Sequence, residues 1–321
     1  MSAGPAPQHK GSPRAATTIS VVFPAHNNLA QLRKTLPAIA AQNLPEHATA
    51  EVIVVDDGSA PETADWLSSC TLPGIRVLRL AKNVGRAAAR NAGVRSSSAD
   101  IVVFLDSDVL VGPDFLAAHL KALEGGGTAG DAARRMSLGV LVDTATLDHG
   151  PGQTDAGSHL GMAHFTTANV AIPRSLLLEV QESDQGPFDE VTFNRYGWED
   201  LELERRLLQV KPQRVRNAQA LGFHHSPPFR IDDLDRLIAK EVDRALMARR
   251  FFAKHPTFAV RLMIQATPVH RALWEILSLG GALNARTMAP VFRWLEGRKR
   301  WKLAAVLARL TILNPAYIRA L

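Results

Sequence analysis

From Thr18 onward the chain repeats one pattern, a short run of β-branched and apolar residues followed by a helix-forming stretch, at a spacing of roughly thirty residues. The runs "TISVVF", "AEVIVVDD", "IRVLRL" and "DIVVFLD" read as strands. Between and after them, residues 29–42 place Leu32, Leu36, Ile39 and Ala40 on one helical face, 61–69 form a second helix, "GRAAARNAGVRS" an alanine-rich third and 113–123 a fourth. Strands this apolar, alternating with helices, pair in parallel through right-handed crossovers and are covered on both faces. The predicted fold class is therefore α/β, a Rossmann-like, mostly parallel sheet flanked by helices.

In such sheets ligands bind beyond the carboxyl ends of the strands. Three of the four strands end in conspicuous polar groups: Ala25 to Asn28, including His26, after the first; Asp56 and Asp57 after the second; Asp106 and Asp108 after the fourth. These groups are expected to line one crevice. In "VVFLDSDVLVG" the two acids flank Ser107, and once the backbone leaves extended geometry both can turn to one ligand. Their oxygens suit Mn²⁺ or Mg²⁺, whose remaining shell is water and phosphate, so a diphosphate is the expected partner. Asp57 in "VVDDGS" can accept from a nucleobase imide N–H, or serve as a helix cap beside the tight turn at Gly58 and Ser59. "NVGRAAARNAG" puts Asn83 and Gly85 at a helix start, where free N–H groups favour anions, and Arg86 and Arg90 on one face. Arg90 could reach phosphate or hold the acid pair; Arg86 reads equally well as a solvated arginine.

Farther along, "GGGTAGD" is a flexible connection, "MSLGVLVD" and "FTTANVAIP" are strands, and 144–163 is a long loop of the kind that closes over sites. "YGWEDLELERRLLQ" opens a helix with acids in its first turn, 231–253 is a charged amphipathic helix, and 259–313 hold two or three basic helices. A boundary is expected near residue 226, before Pro227 and Pro228, with 1–17 a loose tail and 227–321 a helical C-terminal region.

The segments "VVFPAHNN", "VIVVDDGS", "NVGRAAARNAG" and "VVFLDSD", in this order and spacing, resemble the nucleotide-sugar-binding half of GT-A glycosyltransferases, specifically family 2, over residues 18–125. The resemblance implies a catalytic domain over 18–226, with 126–226 as its acceptor half. It implies that Pro24 and Ala25 lie by the base, that Asp57 binds it, that Asp106 touches the ribose or sugar side, and that Asp108 ligates the metal, with Asp106 a further candidate ligand. Family 2 often has Tyr where His26 stands, so base stacking is expected to differ. His26, Asn28, Asn83, Gly85, Arg90 and Ser107 complete the expected donor-binding set.

"TTANVAIPRSLL...FDEVTFNRYGWEDLELERRL" resembles the acceptor-side segment of galactosyltransferase-like and polypeptide N-acetylgalactosaminyltransferase-like enzymes. That resemblance implies Asp200 as general base toward an acceptor hydroxyl, Glu199 as a partner of sugar or acceptor hydroxyls, and Trp198 as an apolar face for a sugar ring. The alternative is that these acids merely favour the helix N-terminus, with Glu202 pairing Arg206. "LGFHHSPP" follows, and a His here resembles a third metal ligand; imidazole favours Mn²⁺ over Mg²⁺. Alternation in an extended segment points only one of His224 and His225 inward, with His224 preferred.

Together these residues imply a metal-dependent glycosyltransferase acting on a nucleotide sugar, UDP-linked by default, with inversion expected and retention open. The acceptor is a glycan, a lipid-linked species or a small molecule, and a role in polysaccharide, glycolipid or cell-envelope glycan synthesis follows. A sugar-1-phosphate nucleotidylyltransferase would need a basic Gly-rich loop that "FPAHNN" lacks. A non-catalytic carbohydrate-binding scaffold would tolerate loss of the carboxylates, all of which are present.

The formal charge is +6, with cations gathered late in the chain but without the aromatic spacing of a nucleic-acid platform, so nucleic acid is excluded as a partner. Arg261 to Arg309 interleaved with Trp274, Trp294 and Trp301 suit an anionic bilayer surface, or else packing on the catalytic domain or a second subunit in a homo-oligomer. A cytoplasmic protein is the expected setting, with the inner face of the cell membrane as the alternative that the basic helices leave open. Cys70, the single cysteine, reads as a buried apolar residue and admits no intrachain disulfide.

Overall fold

In a computed structural model, which describes residues 16–125, 129–148, 159–160 and 164–321, the first half follows the expected alternation. Strand β1 (Thr17–Ala25) leads through α1 (Leu29–Ala40) to β2 (Ala48–Asp56), α2 (Pro61–Ser68), β3 (Ile75–Arg79), α3 (Arg86–Arg95) and β4 (Ile101–Leu105). These four strands pair in parallel in the order β3-β2-β1-β4. Strand β1 begins at Thr17, one residue inside the expected tail; the rest of that tail, 1–15, lies outside the described residues.

Beyond β4 the sheet turns mixed. The short β5 (Val109–Val111), α4 (Phe115–Glu124), α5 (Ala129–Ala132), β6 (Arg135–Thr144), β7 (His159–Leu160), β8 (Asn169–Pro173), α6 (Arg174–Glu179), α7 (Glu199–Gln209) and β9 (Gln213–His225) complete it. Strand β8 runs antiparallel to both β4 and β6, β9 is parallel to β6, and β5 is antiparallel to β9. The parallel pairing thus holds for the first four strands, where helices force crossovers, and returns at β6 and β9, while β5, β7 and β8 run antiparallel to their neighbours. Most of the loop expected over 144–163 and residues 126–128 of "GGGTAGD" lie outside the described residues.

Two apolar layers sandwich the sheet. One packs Leu32, Leu36 and Ile39 of α1 and Phe115, Leu116 and Leu120 of α4 on β1, β2 and β4; half-buried Cys70 sits at its margin. The other packs α3, α6 and α7 on the opposite face. The small residues of α3 have a purpose there: a Cβ on Gly93 would meet Val22 Cγ1 at 2.5 Å, so the helix lies unusually close to β1.

The C-terminal region is helical. A 3₁₀ turn at Ile231–Asp233 precedes α8 (Leu234–Lys254), and α9 (Phe258–Met263), α10 (Pro268–Leu277), α11 (Ala285–Gly297) and α12 (Trp301–Ala308) follow, then a π-helical stretch Arg309–Leu313 and α13 (Asn314–Ala320). The two or three helices expected over 259–313 are four. Thr257 and Thr267 cap α9 and α10, and Asn284 forms a capping box with Thr287 at α11, so each break has its own start signal. Phe193 and Trp198 share a core with Ala245, Phe251 and Tyr317, which fastens α8 and α13 to the start of α7. Among the described residues no helix is long and apolar enough to cross a membrane.

Candidate active site

The carboxyl ends of β1, β2 and β4 open on a cavity of about 190 Å³ lined by Pro24, Ala25, His26, Asn28, Asp57, Arg86, Ala89, Asp106, Ser107 and Asp108. Eight of these were expected from sequence. Asp57 lies just past β2 and accepts from the backbone N–H groups of Val84 (2.7 Å) and Gly85 (3.0 Å). Burial nevertheless raises its pKa above the usual carboxylate range. Of the helix start that sequence offered to an anion, the Gly85 amide is engaged by Asp57, together with that of Val84, while Asn83 is exposed and outside the cavity. Gly58 makes the turn possible: its φ is +65°, and a Cβ would lie 2.4 Å from the Lys82 carbonyl carbon. Across the cavity, Asn28 Nδ2 donates to Ser107 Oγ at 2.6 Å, and His26 Nδ1 lies 2.8 Å from the Asp57 carbonyl oxygen.

Beneath the cavity Arg90, 1% exposed, joins the two halves of the domain. Its Nη2 donates to Asp106 Oδ1 at 2.7 Å and its Nη1 to Glu199 Oε1 at 3.1 Å. Burial opposes the guanidinium charge, but the two acids more than offset it and raise the pKa. Of the two roles sequence left open for Arg90, the geometry selects holding the acids; phosphate contact is set aside, because the guanidinium is buried and does not line the cavity.

Asp200, half-buried beside Glu199, has its pKa pushed up to about 6 by burial and by Glu199, against the pull of Arg90 and of the Leu201 N–H that its Oδ1 accepts at 2.8 Å. A carboxylate near neutrality is suited to proton abstraction. Glu202, in contrast, is structural: Arg206, Lys254 and His255 surround it.

Trp198 requires a correction. Its φ is 72°, it is 8% exposed, its ring stacks on Phe251 at 5.7 Å and its Nε1 donates to the Arg244 carbonyl at 2.9 Å. The indole is a core residue between α7 and α8 and offers no face to a sugar.

At the cavity's other side His224 Nε2 lies 3.6 Å from Asp108 Oδ2, and its Nδ1 is 2.8 Å from Asp143 Oδ1. His225 turns instead to Gln31, 3.2 Å away. The pairing of Val109 with His224 sets this choice, because neighbouring residues on β9 point to opposite sides. Burial opposes an imidazolium at His224, but Asp108 and Asp143 raise its pKa to about 9; burial likewise opposes the Asp108 carboxylate, yet His224 and Arg86 hold it below its usual range. Buried Oδ1 of Asp108 has no hydrogen-bond partner. An unpaired carboxylate oxygen beside an imidazole held by a second acid fits a divalent cation with few protein ligands, which would take the place of the His224 Nε2 proton. Among the described residues no three His, Cys, Asp or Glu side chains form a fuller cage. Asp106 gives Oδ1 to Arg90, so any ligation by it rests on Oδ2.

Sequence reading left Arg86 open between anion contact and solvation, and passed over Asp143. Arg86 lines the cavity and stands over the Tyr196 ring at 5.1 Å. Its i,i+4 relation to Arg90 was the only local signal, and Asp143 carried none.

Residues 20–165 match the family described as Glycosyl transferase family 2. This segment is a glycosyltransferase family 2 domain. Validoxylamine A glucosyltransferase from Streptomyces hygroscopicus subsp. limoneus is 30% identical over 288 residues, 78% of this chain and 59% of that relative. The chain spans less than two thirds of the length of the curated relatives it matches. Among solved structures, a mannosyltransferase from Pyrobaculum calidifontis in complex with GDP-Man and Mn²⁺ superposes with a TM-score of 0.53 at 15% identity, covering 96% of this chain and 86% of that one. GalNAc-T7 with UDP, GalNAc and Mn²⁺ gives 0.52 at 14%, covering 67% and 45%. The fold of the family 2 domain is accordingly GT-A, with a helical region appended.

Proposed function

We propose that this chain transfers a sugar from a nucleoside-diphosphate sugar to an acceptor hydroxyl, with a divalent cation held by Asp108 and His224. The carrying observation is the single cavity in which Asp57, Asp106, Asp108 and Arg86 converge, with the acids of α7 tied to it through Arg90. Asp57 and the β1 exit residues Pro24, Ala25 and His26 take the base. Arg86 and the Asn28–Ser107 pair face the diphosphate and sugar. A bound Mn²⁺ or Mg²⁺ would supply positive charge to the departing diphosphate.

Asp200 takes the proton from the acceptor hydroxyl as its oxygen bonds to the anomeric carbon and the bond from that carbon to the β-phosphate oxygen breaks. The product is inverted and the nucleoside diphosphate leaves. The pKa near 6 favours this role at neutral pH. Glu199, held by Arg90, positions Asp200 and adds the negative charge that raises it. UDP is the first nucleotide to test, and the acceptor class is a glycan, lipid-linked species or small molecule of envelope or glycolipid synthesis.

A panel of UDP, GDP, dTDP and CDP sugars with Mn²⁺, read by release of nucleoside diphosphate and by the anomeric NMR signal of the transferred sugar, tests this. Metal-dependent turnover with an inverted product is expected. A retained anomer would remove Asp200 as base. Pyrophosphate formation from a nucleoside triphosphate and a sugar phosphate would instead establish nucleotidylyl transfer, and no turnover together with no nucleotide binding would leave a scaffold.

A further inference from the structure

The helices α9 and α10 and the turn after α10 leave large apolar side chains in the open. Phe258 (70%), Val269 (76%), Ile276 (69%) and Leu279 (64%) are mostly exposed, and Leu273 is 45% exposed. On α10, Val269, Leu273 and Ile276 fall at i, i+4 and i+7, a single stripe. Trp274, on another side of that helix, and Ser278, just past its end, make the inward contacts: Trp274 Nε1 donates to Gln265, and Ser278 is fully buried. None of the ten residues of α10 is buried, which is unusual for a helix of a packed domain and marks a face awaiting a partner.

Charge selects that partner. Residues 258–321 hold ten of the 37 Lys and Arg but only two of the 31 Asp and Glu, Glu275 and Glu296, so this fifth of the chain carries the entire positive excess. Both acids are already engaged, Glu275 by Arg319 and Glu296 by the Ile231 N–H. Half-exposed Trp294 carries Arg298 over its ring at 4.1 Å, an aromatic and cation pair of the kind found at a lipid headgroup layer. A second copy of the chain would bring the same positive excess against itself, whereas an anionic bilayer both attracts it and accepts the apolar stripe.

We infer that the α9–α10 face docks on an anionic phospholipid surface, the stripe of Val269, Leu273 and Ile276 entering the headgroup boundary. The test is sedimentation of the full chain with vesicles of phosphatidylcholine alone or doped with phosphatidylglycerol, for the natural sequence and for V269S/L273S/I276S. These three side chains are exposed, so the triple variant should melt as the natural chain does. Binding to the doped vesicles should exceed that to phosphatidylcholine by about tenfold or more, weaken with added salt, and fall by a similar factor in the variant. Equal binding of the two chains, or no binding of the natural chain to doped vesicles, overturns the inference. A dimer in analytical ultracentrifugation that the variant abolishes, with no vesicle binding, would assign the face to a second copy instead.

Discussion

Arg90 and Glu199 meet at 3.1 Å across the junction between the donor half of the domain and the start of α7. The contact lets a residue read from a nucleotide-binding motif set the position of an acid expected to act on the acceptor side. Removing the guanidinium leaves buried Glu199 and half-buried Asp106 unpaired. R90M is expected to lose about 3–5 kcal/mol of stability in urea unfolding, and R90K to recover only part, because an ammonium cannot fork to both acids. R90M with E199Q should unfold later than R90M alone.

Asp200 should give the rate its acid limb. With a pKa near 6, the base is lost by protonation as pH falls through that value, so kcat is expected to drop about tenfold per pH unit below it. D200N should lower kcat by about 10²–10⁴-fold while keeping nucleotide affinity. Because the folded pKa is raised, the folded chain binds the extra proton between the ordinary carboxylate value and about 6, and the strain of ionising Asp200 appears above that window. D200N is therefore expected to melt higher than the natural chain at neutral pH, which a differential scanning measurement reads.

His119 should make the fold acid-sensitive. It is fully buried and has its pKa lowered to about 4 by burial, despite the Asn169 hydrogen bond. Asn169 spends its Nδ2 donating to Val140 and Ala220, so its Oδ1 accepts from His119 Nε2–H at 2.9 Å, and Nδ1 accepts from Ser137 Oγ at 2.8 Å. The ring is neutral in this network. The unfolded chain takes up the proton between about pH 6.5 and 4, so stability is complete above that range and falls by about 3 kcal/mol through it. Unfolding free energies across that range should slope less in H119N than in the natural chain.

The donor strands and their polar exits were legible because each is a local signal: β-branched runs, a Gly beside a carboxylate, an alanine-rich helix that lies close on β1 through Gly93. Asp57, Asp106 and Asp108 could be placed from strand ends alone. What escaped depends on contacts distant in sequence. The three-residue β5 is stable only through pairing with β9, and the register of that pair is what turns His224, the histidine preferred from sequence, to Asp108. Trp198 beside two acids looks like a sugar platform until α8, centred some forty-six residues later at Arg244, supplies the carbonyl and Phe251 the ring that bury it. Asp143 matters only because β6 lies alongside β9.

Gly58 should be intolerant of any side chain. An added Cβ meets the backbone of Lys82 and the φ of +65° is strained for L residues, so G58A is expected to destabilise by about 1–3 kcal/mol. The Asn83–Gly85 loop held by Asp57 should loosen with it. Nucleotide titrations of the folded variant should show affinity weakened more for the base-containing ligand than for pyrophosphate.

The most direct measurement is isothermal titration of UDP and of GDP, with Mn²⁺ and with chelator, into the natural chain and into D108N. Binding that requires Mn²⁺ in the natural chain and is weakened about tenfold or more in D108N is the expected result. Nucleotide binding of equal strength in both chains, indifferent to the metal, would contradict a cation held between Asp108 and His224.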